Sequence, residues 1–504
     1  SFLKTLLTLQ MHPNACSQLL SYFCAIVPDT VSTYVPPSLS LLALHWFDDD
    51  DDIVQSVRSV FSATLDRLSA EGRSSFAELW ALHLNTDVSR KAKTLATLVL
   101  AILGAEQSDI LPSSLCRDVA LRLDEGLFTN DDGKLQVACG ELIGRGYPSW
   151  KKWLRAQRRV DSVITQLFCM SMTSPTSPPL PPPQARLATK ARQALLQIGV
   201  HDSKAFLLAL AKEIHDPHQH SAARPLPTVS AAAFFASRRT TTTTLALVGS
   251  DGGSGGVVDG LVVGGGGPAV AARGGYHHSE AGVLLHHHGG GGGIDAVAAA
   301  RAVHFTGGYA QHLPGESASY ALRLIAALVS KHSLRLLPFL PRIVETAVRS
   351  LDPHSPHVRD GALQAITQVL HMLVKKYPMV SFHQDTQRLA VGTSDARITV
   401  YDLKTSTRWH VLQGHTGALA AVTFSSNGKS LVSYSFDDNT VRVWSVTSSF
   451  FGLSSPHLRR TITVSAPTTT LTPRLRLQCR LQWTGADSVV LVRADGSIEF
   501  SQIG

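Results

Sequence analysis

The chain has 504 residues, of which 44% are hydrophobic and 17% are charged, and its formal net charge is +8. That length allows about three domains at roughly 150 residues each. The ordinary apolar content and low charge exclude a chain that is disordered throughout, and also a highly charged coiled coil. Because the first residue is Ser rather than Met, we interpret the sequence as a fragment cut at its N-terminus.

The six cysteines occur singly and far apart, without a CxxC pair. In a chain of this length, such spacing is typical of reduced thiols and predicts a cytoplasmic location rather than a disulfide framework. The longest apolar runs cover about nine residues, whereas a bilayer span needs about 20, so we predict no transmembrane segment.

Helical periodicity dominates residues 1–222 and 316–378, where apolar residues recur at spacings of three and four. In two of these helices an acidic residue is followed, after a short gap, by Val-Arg, which resembles the second helix of a HEAT repeat. Because such helix pairs cannot bury their apolar faces alone, they stack, and the sequence predicts an α-solenoid. We expect each arginine to reach a carboxylate of a neighbouring pair. The positions are Asp52 with Arg58, and Asp352 with Arg359.

A cluster of basic residues with two tryptophans lies at positions 145–159. One interpretation is a basic amphipathic helix that binds anionic lipid, or less plausibly nucleic acid. The other, which we favour, is a solvated helix face with two core tryptophans, because charge runs usually face solvent. The net charge is too diffuse for a nucleic-acid binder, so no nucleic acid is expected as a partner.

Residues 223–315 are of low complexity, and 18 of the 38 glycines lie within 249–293. Such a stretch cannot bury enough side chain to offset its backbone entropy, so disorder is predicted. The glycine runs lack the strand-to-helix context of a phosphate loop, and the histidine run lacks a fixed metal geometry. An error in the gene model would give the same composition and stays open.

The period changes from 3.6 to 2 in residues 379–504, which predicts short strands. The pattern resembles WD-repeat blades, and about two to three blades fit this length, which is too few for the four to eight of a closed β-propeller. We therefore predict an incomplete propeller after the solenoid. Strands are expected at 388–392, 398–403, 409–412, 418–425, 431–435 and 440–444, and the last blade at 475–483, 488–493 and 497–501.

The blade markers are Gly414-His415 and Trp444, with Tyr401-Asp402 at the Trp-Asp position of the preceding blade. In such a blade a buried histidine is tied to an aspartate and, through a serine, to the tryptophan indole. Two aspartates and two serines qualify, so the alternatives are Asp437 or Asp438, and Ser433 or Ser435. A structural histidine is favoured over a catalytic base, and no catalytic, cofactor-binding or metal site is predicted.

Local strings sharpen the comparison, and together they resemble the C-terminal third of the rabconnectin-3 beta family over residues 1–220 and 316–504. The strings are Met11–Pro13, Ser21–Phe23, Pro28–Val31, Glu141–Tyr147, Ala191–Ile198, Ala211–Ile214 and Gln387–Thr393.

The resemblance implies a non-enzymatic scaffold that pairs with a rabconnectin-3 alpha-like chain and regulates the vacuolar-type proton ATPase. It also implies a cytoplasmic protein held peripherally on vesicle or endosomal membranes. The competing hypothesis is a HEAT and WD adaptor of a vesicle coat, unrelated to the proton pump, because fold does not separate these roles. The third is an enzyme or nucleic-acid protein centred on the basic segment.

Overall fold

A computed structural model describes residues 22–46, 50–85, 89–129, 133–172, 182–215, 314–447, 456–465, 472–493 and 495–502. The segment 223–315, which we predicted to be disordered, therefore lies outside the described residues as far as residue 313. None of the described helices is long and apolar enough to span a bilayer.

Helices make up the described part of the chain up to residue 376, after a π-helical turn at Tyr22–Ile26. They are α1 (Val27–Thr30), α2 (Leu39–Leu44), α3 (Asp51–Arg67), α4 (Ala70–Asn85), α5 (Arg90–Glu106), α6 (Ser113–Leu127), α7 (Gly133–Arg145), α8 (Tyr147–Ala156), α9 (Val160–Ser171), α10 (Pro182–His201), α11 (Ser203–His215), α12 (Pro314–Leu336), α13 (Leu340–Arg349) and α14 (Pro356–Lys376). A 3₁₀ turn, Leu337–Phe339, joins α12 to α13.

The helix ends follow the local sequence. Ser89 caps α5 by accepting a hydrogen bond from the Ala92 N–H at 3.3 Å, which satisfies one of the unpaired first-turn donors. Proline occupies the first turn of α8, α13 and α14, where its missing N–H costs nothing. The helices pack in sequence as stacked pairs, which is the α-solenoid that the periodicity predicts.

Helices from the two sides of residues 216–313 pack directly on each other. Helix α12 contacts α10 and α11, and the Phe168 and Tyr320 rings lie 5.5 Å apart. Arg335 of α12 donates a hydrogen bond to the Val200 carbonyl at 3.2 Å. The solenoid is therefore continuous in space across this interval of sequence.

Three antiparallel sheets follow the helices, in the strand orders β1-β2-β3-β4, β5-β6-β7-β8 and β11-β10-β9. Their strands are β1 (Val380–His383), β2 (Arg388–Gly392), β3 (Arg397–Asp402), β4 (Thr407–Gln413), β5 (Leu419–Phe424), β6 (Ser430–Ser435), β7 (Thr440–Ser445), β8 (His457–Thr463), β9 (Arg480–Trp483), β10 (Ser488–Val492) and β11 (Ile498–Gln502). Two complete four-stranded blades and a three-stranded sheet make the incomplete propeller.

Strand placement differs from the sequence expectation in three places. The pattern missed β1 and β8. It also predicted a strand beginning at Leu475, but a short helix, α15 (Pro473–Arg476), occupies that region and β9 begins only at Arg480. Thr472 caps α15 by accepting from the Leu475 N–H, so a helical turn forms where the apolar alternation resembled a strand.

One hydrophobic core runs through the solenoid and the first blade and into one side of the second blade, where it includes Leu431, Trp444 and Val446. A separate core lies between the second blade and the three-stranded sheet, where residues such as Tyr434, Cys479 and Leu491 are buried. The solenoid and the first blade are therefore packed as one body.

Ion pairs cross-link the layers of the solenoid around Glu141 of α7, which is buried. Its carboxylate pairs with Arg58 of α3 and lies 3.5 Å from the Lys190 ammonium of α10. The Arg58 guanidinium also lies 5.1 Å from the centre of the Trp46 ring, a cation–π distance. In the same layer Arg145 pairs with Glu106 at 2.5 Å.

Replacing Glu141 by alanine should lower the free energy of unfolding by about 2–3 kcal/mol, because it leaves Arg58 partly buried without its charge partner. Thermal or urea denaturation of the full chain measures the change. Asp161→Ala is the matched control: its pair with Lys212 is exposed, and its loss should cost under about 1 kcal/mol. Equal losses in the two variants would contradict the cross-linking role.

Candidate functional site

The second blade contains a chain of hydrogen bonds built on His415. Its Nδ1 lies 2.8 Å from Asp438 Oδ2, and its Nε2 lies 2.8 Å from the Ser433 hydroxyl. The Trp444 indole N–H donates to the same hydroxyl oxygen at 2.8 Å. Because an ionised carboxylate only accepts, Nδ1 donates to Asp438, and Nε2 accepts from Ser433.

The structure selects Asp438 and Ser433 from the sequence alternatives. Asp438 also accepts from the N–H groups of Thr416 and Thr440, both at 3.1 Å. The neighbouring Asp437 instead accepts from the Ala418 N–H at 2.9 Å and lies 3.9 Å from Arg476. The two adjacent carboxylates therefore stabilise different parts of the loop before β5.

Position 414 requires a glycine because the side chains of Arg442 and Trp444 lie close to its backbone. A Cβ at this position would lie 2.6 Å from Arg442 Nη1 and 2.9 Å from the Trp444 ring. Glycine therefore lets the chain pass over the indole, which places His415 beside Ser433. Since the His415 side chain is fully buried and both its nitrogens are engaged, the geometry gives it no route to a substrate.

The local charges set the protonation state of this network. Burial lowers the pKa of His415 below its ordinary 6.5, although Asp438 opposes the shift. Burial alone would raise the pKa of Asp438, but hydrogen bonds from Thr440, His415 and the Thr416 N–H outweigh it and hold that pKa below 3.8. Neutral histidine and ionised aspartate are thus the stable forms.

The first blade lacks this network. Tyr401 is buried, and the Asp402 carboxylate accepts from the Lys404 N–H at 2.9 Å, within the turn that follows β3. Arg388 of β2 instead stacks over Trp409 at 3.6 Å and donates to the Val446 carbonyl at 2.8 Å. A guanidinium therefore joins the first blade to the end of β7 in the second.

The two HEAT-like arginines have different surroundings. Arg58 meets Glu141 of a later helix, as expected, whereas Arg359 pairs with its neighbour Asp360 at 3.0 Å. Asp352 lies in the turn before α14, where it accepts from the His354 N–H at 2.9 Å. Asp52 lies in the first turn of α3. We expected Arg359 to pair with a carboxylate of a neighbouring helix pair. That expectation is wrong, because Asp360, an acidic residue of the same helix, is closer.

Most of the basic cluster at 145–159 is neutralised inside the fold. Asp202, which is buried, lies 2.7 Å from Arg155 and 3.6 Å from Lys151, and it accepts from the Tyr147 hydroxyl at 3.0 Å. Arg159 reaches Asp124 at 2.6 Å. These contacts join α8 to the start of α11, and the turn before α9 to α6.

The tryptophans of this cluster differ in burial. Trp150 is fully buried and donates its indole N–H to the Leu142 carbonyl at 3.1 Å. Trp153 is half-buried, with the Lys152 ammonium 5.0 Å from its ring centre, and Arg158 is exposed. Lys152 and Arg158, both exposed, are therefore the cations of this cluster left for a membrane surface.

The three-stranded sheet carries a charged network that the sequence analysis missed. Arg493 is buried after β10 and pairs with Glu499 of β11, and it donates to the Ser465 carbonyl at 2.7 Å. This network ties the sheet to the segment after β8. Its only sequence signal is an arginine next to a buried apolar strand. Within the described ranges, no group of three or more His, Cys, Asp or Glu side chains could hold a metal ion.

Part of the C-terminal region is similar in sequence to known proteins. The family model for the N-terminal β-propeller domain of nucleolar protein 10-like proteins matches residues 330–466, well under half of the chain. The C-terminal sheets are propeller blades. The chain is 35% identical over 68 residues to pre-mRNA-processing factor 19 of Oryza sativa subsp. japonica and to its homolog 2 of Arabidopsis thaliana. Each match covers 14% of this chain, and 12% and 13% of those relatives.

Replacing His415 by alanine should destabilise the second blade by about 1–3 kcal/mol, because Asp438 loses one of its donors and the buried Ser433 hydroxyl loses its acceptor. Amide hydrogen exchange of the full chain should show faster exchange in β5–β7 and unchanged exchange in the solenoid. His371→Ala, on the exposed face of α14, is the control and should change neither. Unaltered exchange in β5–β7 would refute the structural role.

Acid should weaken the second blade in two steps. A histidine whose folded pKa is lowered binds its proton more readily in the unfolded chain, so stability is present above pH 6.5 and falls as pH drops below it. Asp438 adds a second loss below about pH 3.8. Hydrogen exchange of β5–β7 against pH should show the first step in the wild type and in His371→Gln. In His415→Gln that step should disappear; a persisting step would assign it to another group.

Proposed function

We propose that this chain is a non-enzymatic scaffold in a rabconnectin-3-like complex that regulates assembly and activity of the vacuolar-type proton ATPase and vesicle acidification. The observation that carries the scaffold role is the hydrophobic core shared by the solenoid and the blades, which packs helices and sheets together and leaves two kinds of surface. Its partners are a rabconnectin-3 alpha-like chain and pump subunits, and it works in the cytoplasm, peripherally on vesicle or endosomal membranes.

The link to the pump rests on the family-like strings, and one of them has a clear physical role. Within Glu141–Tyr147, Glu141 and Arg145 hold the layers of the solenoid together, and Tyr147 donates to Asp202. The side chains of this string fix the stacking of several helices. The string therefore supports a resemblance that extends over the whole solenoid, rather than one limited to an exposed motif.

The names of the matched relatives suggest another setting, pre-mRNA processing. Those matches cover about an eighth of each relative, and the hydrogen bonds inside a blade are the same whatever the blade binds. They therefore support the blade architecture more than a shared partner. The vesicle-coat adaptor remains the alternative from the same architecture.

Affinity purification of the tagged full-length protein from cells should yield proton-pump subunits and a rabconnectin-3 alpha-like chain, because a scaffold acts through stable contacts. Loss of the protein should raise the pH of vesicles that a pH-sensitive dye reports. Coat subunits in the purified complex would favour the adaptor, and splicing factors would favour the role of the matched relatives. Normal vesicle pH without the protein would refute the pump assignment.

Among the described residues, the third sheet has three strands, and β11 lies at its edge. The other two sheets have four strands each. Such an edge pairs with any strand offered to it. In the intact protein we assign that strand to blades of an N-terminal WD domain. The full chain, whose first blade keeps its helical core, should then form a defined complex in size-exclusion chromatography with N-terminal WD repeats added in trans. A full chain that does not bind those repeats would contradict ring closure.

A further inference from the structure

A cleft of about 540 Å³ lies between the end of the solenoid and the blades. Helix α12 and the turn after it form one wall, which includes Leu334 and Pro338, and the segment Thr472–Arg476 forms the opposite one. Met379 and Leu419, both nearly fully buried, contribute to its base. This volume lies within the ~300–1,000 Å³ of ligand sites.

The base of the cleft is held by backbone hydrogen bonds. The Gly392 N–H donates to the Met379 carbonyl at 2.8 Å, and the Leu419 N–H donates to the Thr393 carbonyl at 3.1 Å. A Cβ on Gly392 would lie 2.7 Å from the Cβ of Leu419, so the two blades meet here at the closest distance that glycine allows. The cleft is therefore preformed.

The mouth of the cleft is positively charged. Its described lining contains Arg474 and Arg476 and no Asp or Glu. Arg474 is exposed, and the buried Nε of Arg476 has no hydrogen-bond partner among the described residues. The carboxylate nearest to Arg476 is Asp437, at 3.9 Å, and it already accepts from the Ala418 N–H. The two arginines thus give the mouth of the cleft its positive charge.

An apolar base below a cationic mouth fits one kind of occupant. We infer that the cleft binds a peptide segment of a protein partner, with a large apolar side chain inserted against Leu334, Met379 and Leu419. An adjacent Asp or Glu of that segment meets Arg474 and Arg476. A guanidinium binds a carboxylate through charge-assisted hydrogen bonds, and Leu334, which is 43% exposed, loses water when the cleft is filled. This inference rests on the proposed scaffold role and names the chemistry of one partner segment.

The test is selection of random heptapeptides displayed on phage against the immobilised full chain, followed by fluorescence anisotropy of synthesised peptides. The expected consensus is a Leu, Ile or Phe within two positions of an Asp or Glu. Arg474→Glu and Ser394→Trp, which reverse a charge and fill the exposed rim, should each weaken binding by about tenfold or more. Raising the salt concentration should weaken binding to the wild type.

Arg459→Glu is the matched control, because it reverses an exposed arginine on β8, away from the cleft, and it should leave binding unchanged. Arg474→Lys should retain most of the binding. Circular dichroism establishes that each variant is folded. The inference is wrong if no peptide is enriched, if the consensus is basic, or if Arg459→Glu weakens binding as much as Arg474→Glu does.

The same variants separate this inference from the pump assignment. If no pump subunit co-purifies with the wild type but acidic apolar peptides still depend on Arg474 and Ser394, the pump assignment fails and the cleft stands. If pump subunits co-purify with the wild type while no peptide selects the cleft, the cleft fails and the scaffold stands.

Discussion

A buried carboxylate in the middle of the solenoid is the interaction on which the rest of the structure depends. Glu141 of α7 brings cations from α3 and α10 to one point, although these helices are far apart in sequence. Burying an unpaired carboxylate is costly, so the register that brings these cations to Glu141 is favoured over one that does not. Asp202 repeats the arrangement one layer further on, with Arg155, Lys151 and the Tyr147 hydroxyl. The later layers and the first blade are built on this stack.

The sequence predicts the parts of this structure that depend on local periodicity. The stripe of Val57, Val60, Phe61 and Leu65 forms one buried face of α3, because a helix repeats every 3.6 residues. Strand β6 is predicted from its short run of apolar residues around Ser433, and it is buried along almost its whole length. The outer strand β8 escapes prediction because nearly all its residues are exposed, which leaves no apolar alternation to detect. The segment before β9 is wrongly assigned, since the Thr472 cap outweighs its apolar pattern.

The candidate sites depend on contacts between distant residues, which spacing does not encode. Asp437 and Asp438 are equivalent in the sequence, and only the path of the loop before β5 directs one to His415 and the other to the Ala418 N–H. The basic cluster at 145–159 similarly suggests a surface patch until Asp124 and Asp202 are brought to it. The blade markers were recognisable because the Gly-His and Trp positions are fixed by the repeat.

The two hydrophobic cores have a consequence for how the chain is made. The first blade has no histidine network of its own and completes a core that begins in the helices, so it has little to fold against until α12–α14 are in place. Synthesis supplies elements in this order, because N-terminal segments leave the ribosome first. The second blade extends the same core through Leu431 and Trp444, and its other side packs with the three-stranded sheet around a second core. Once residues up to 378 have left the ribosome, the finished solenoid is therefore a template for the first blade, whereas a chain that has emerged only as far as β2–β4 exposes an apolar half-blade to chaperones.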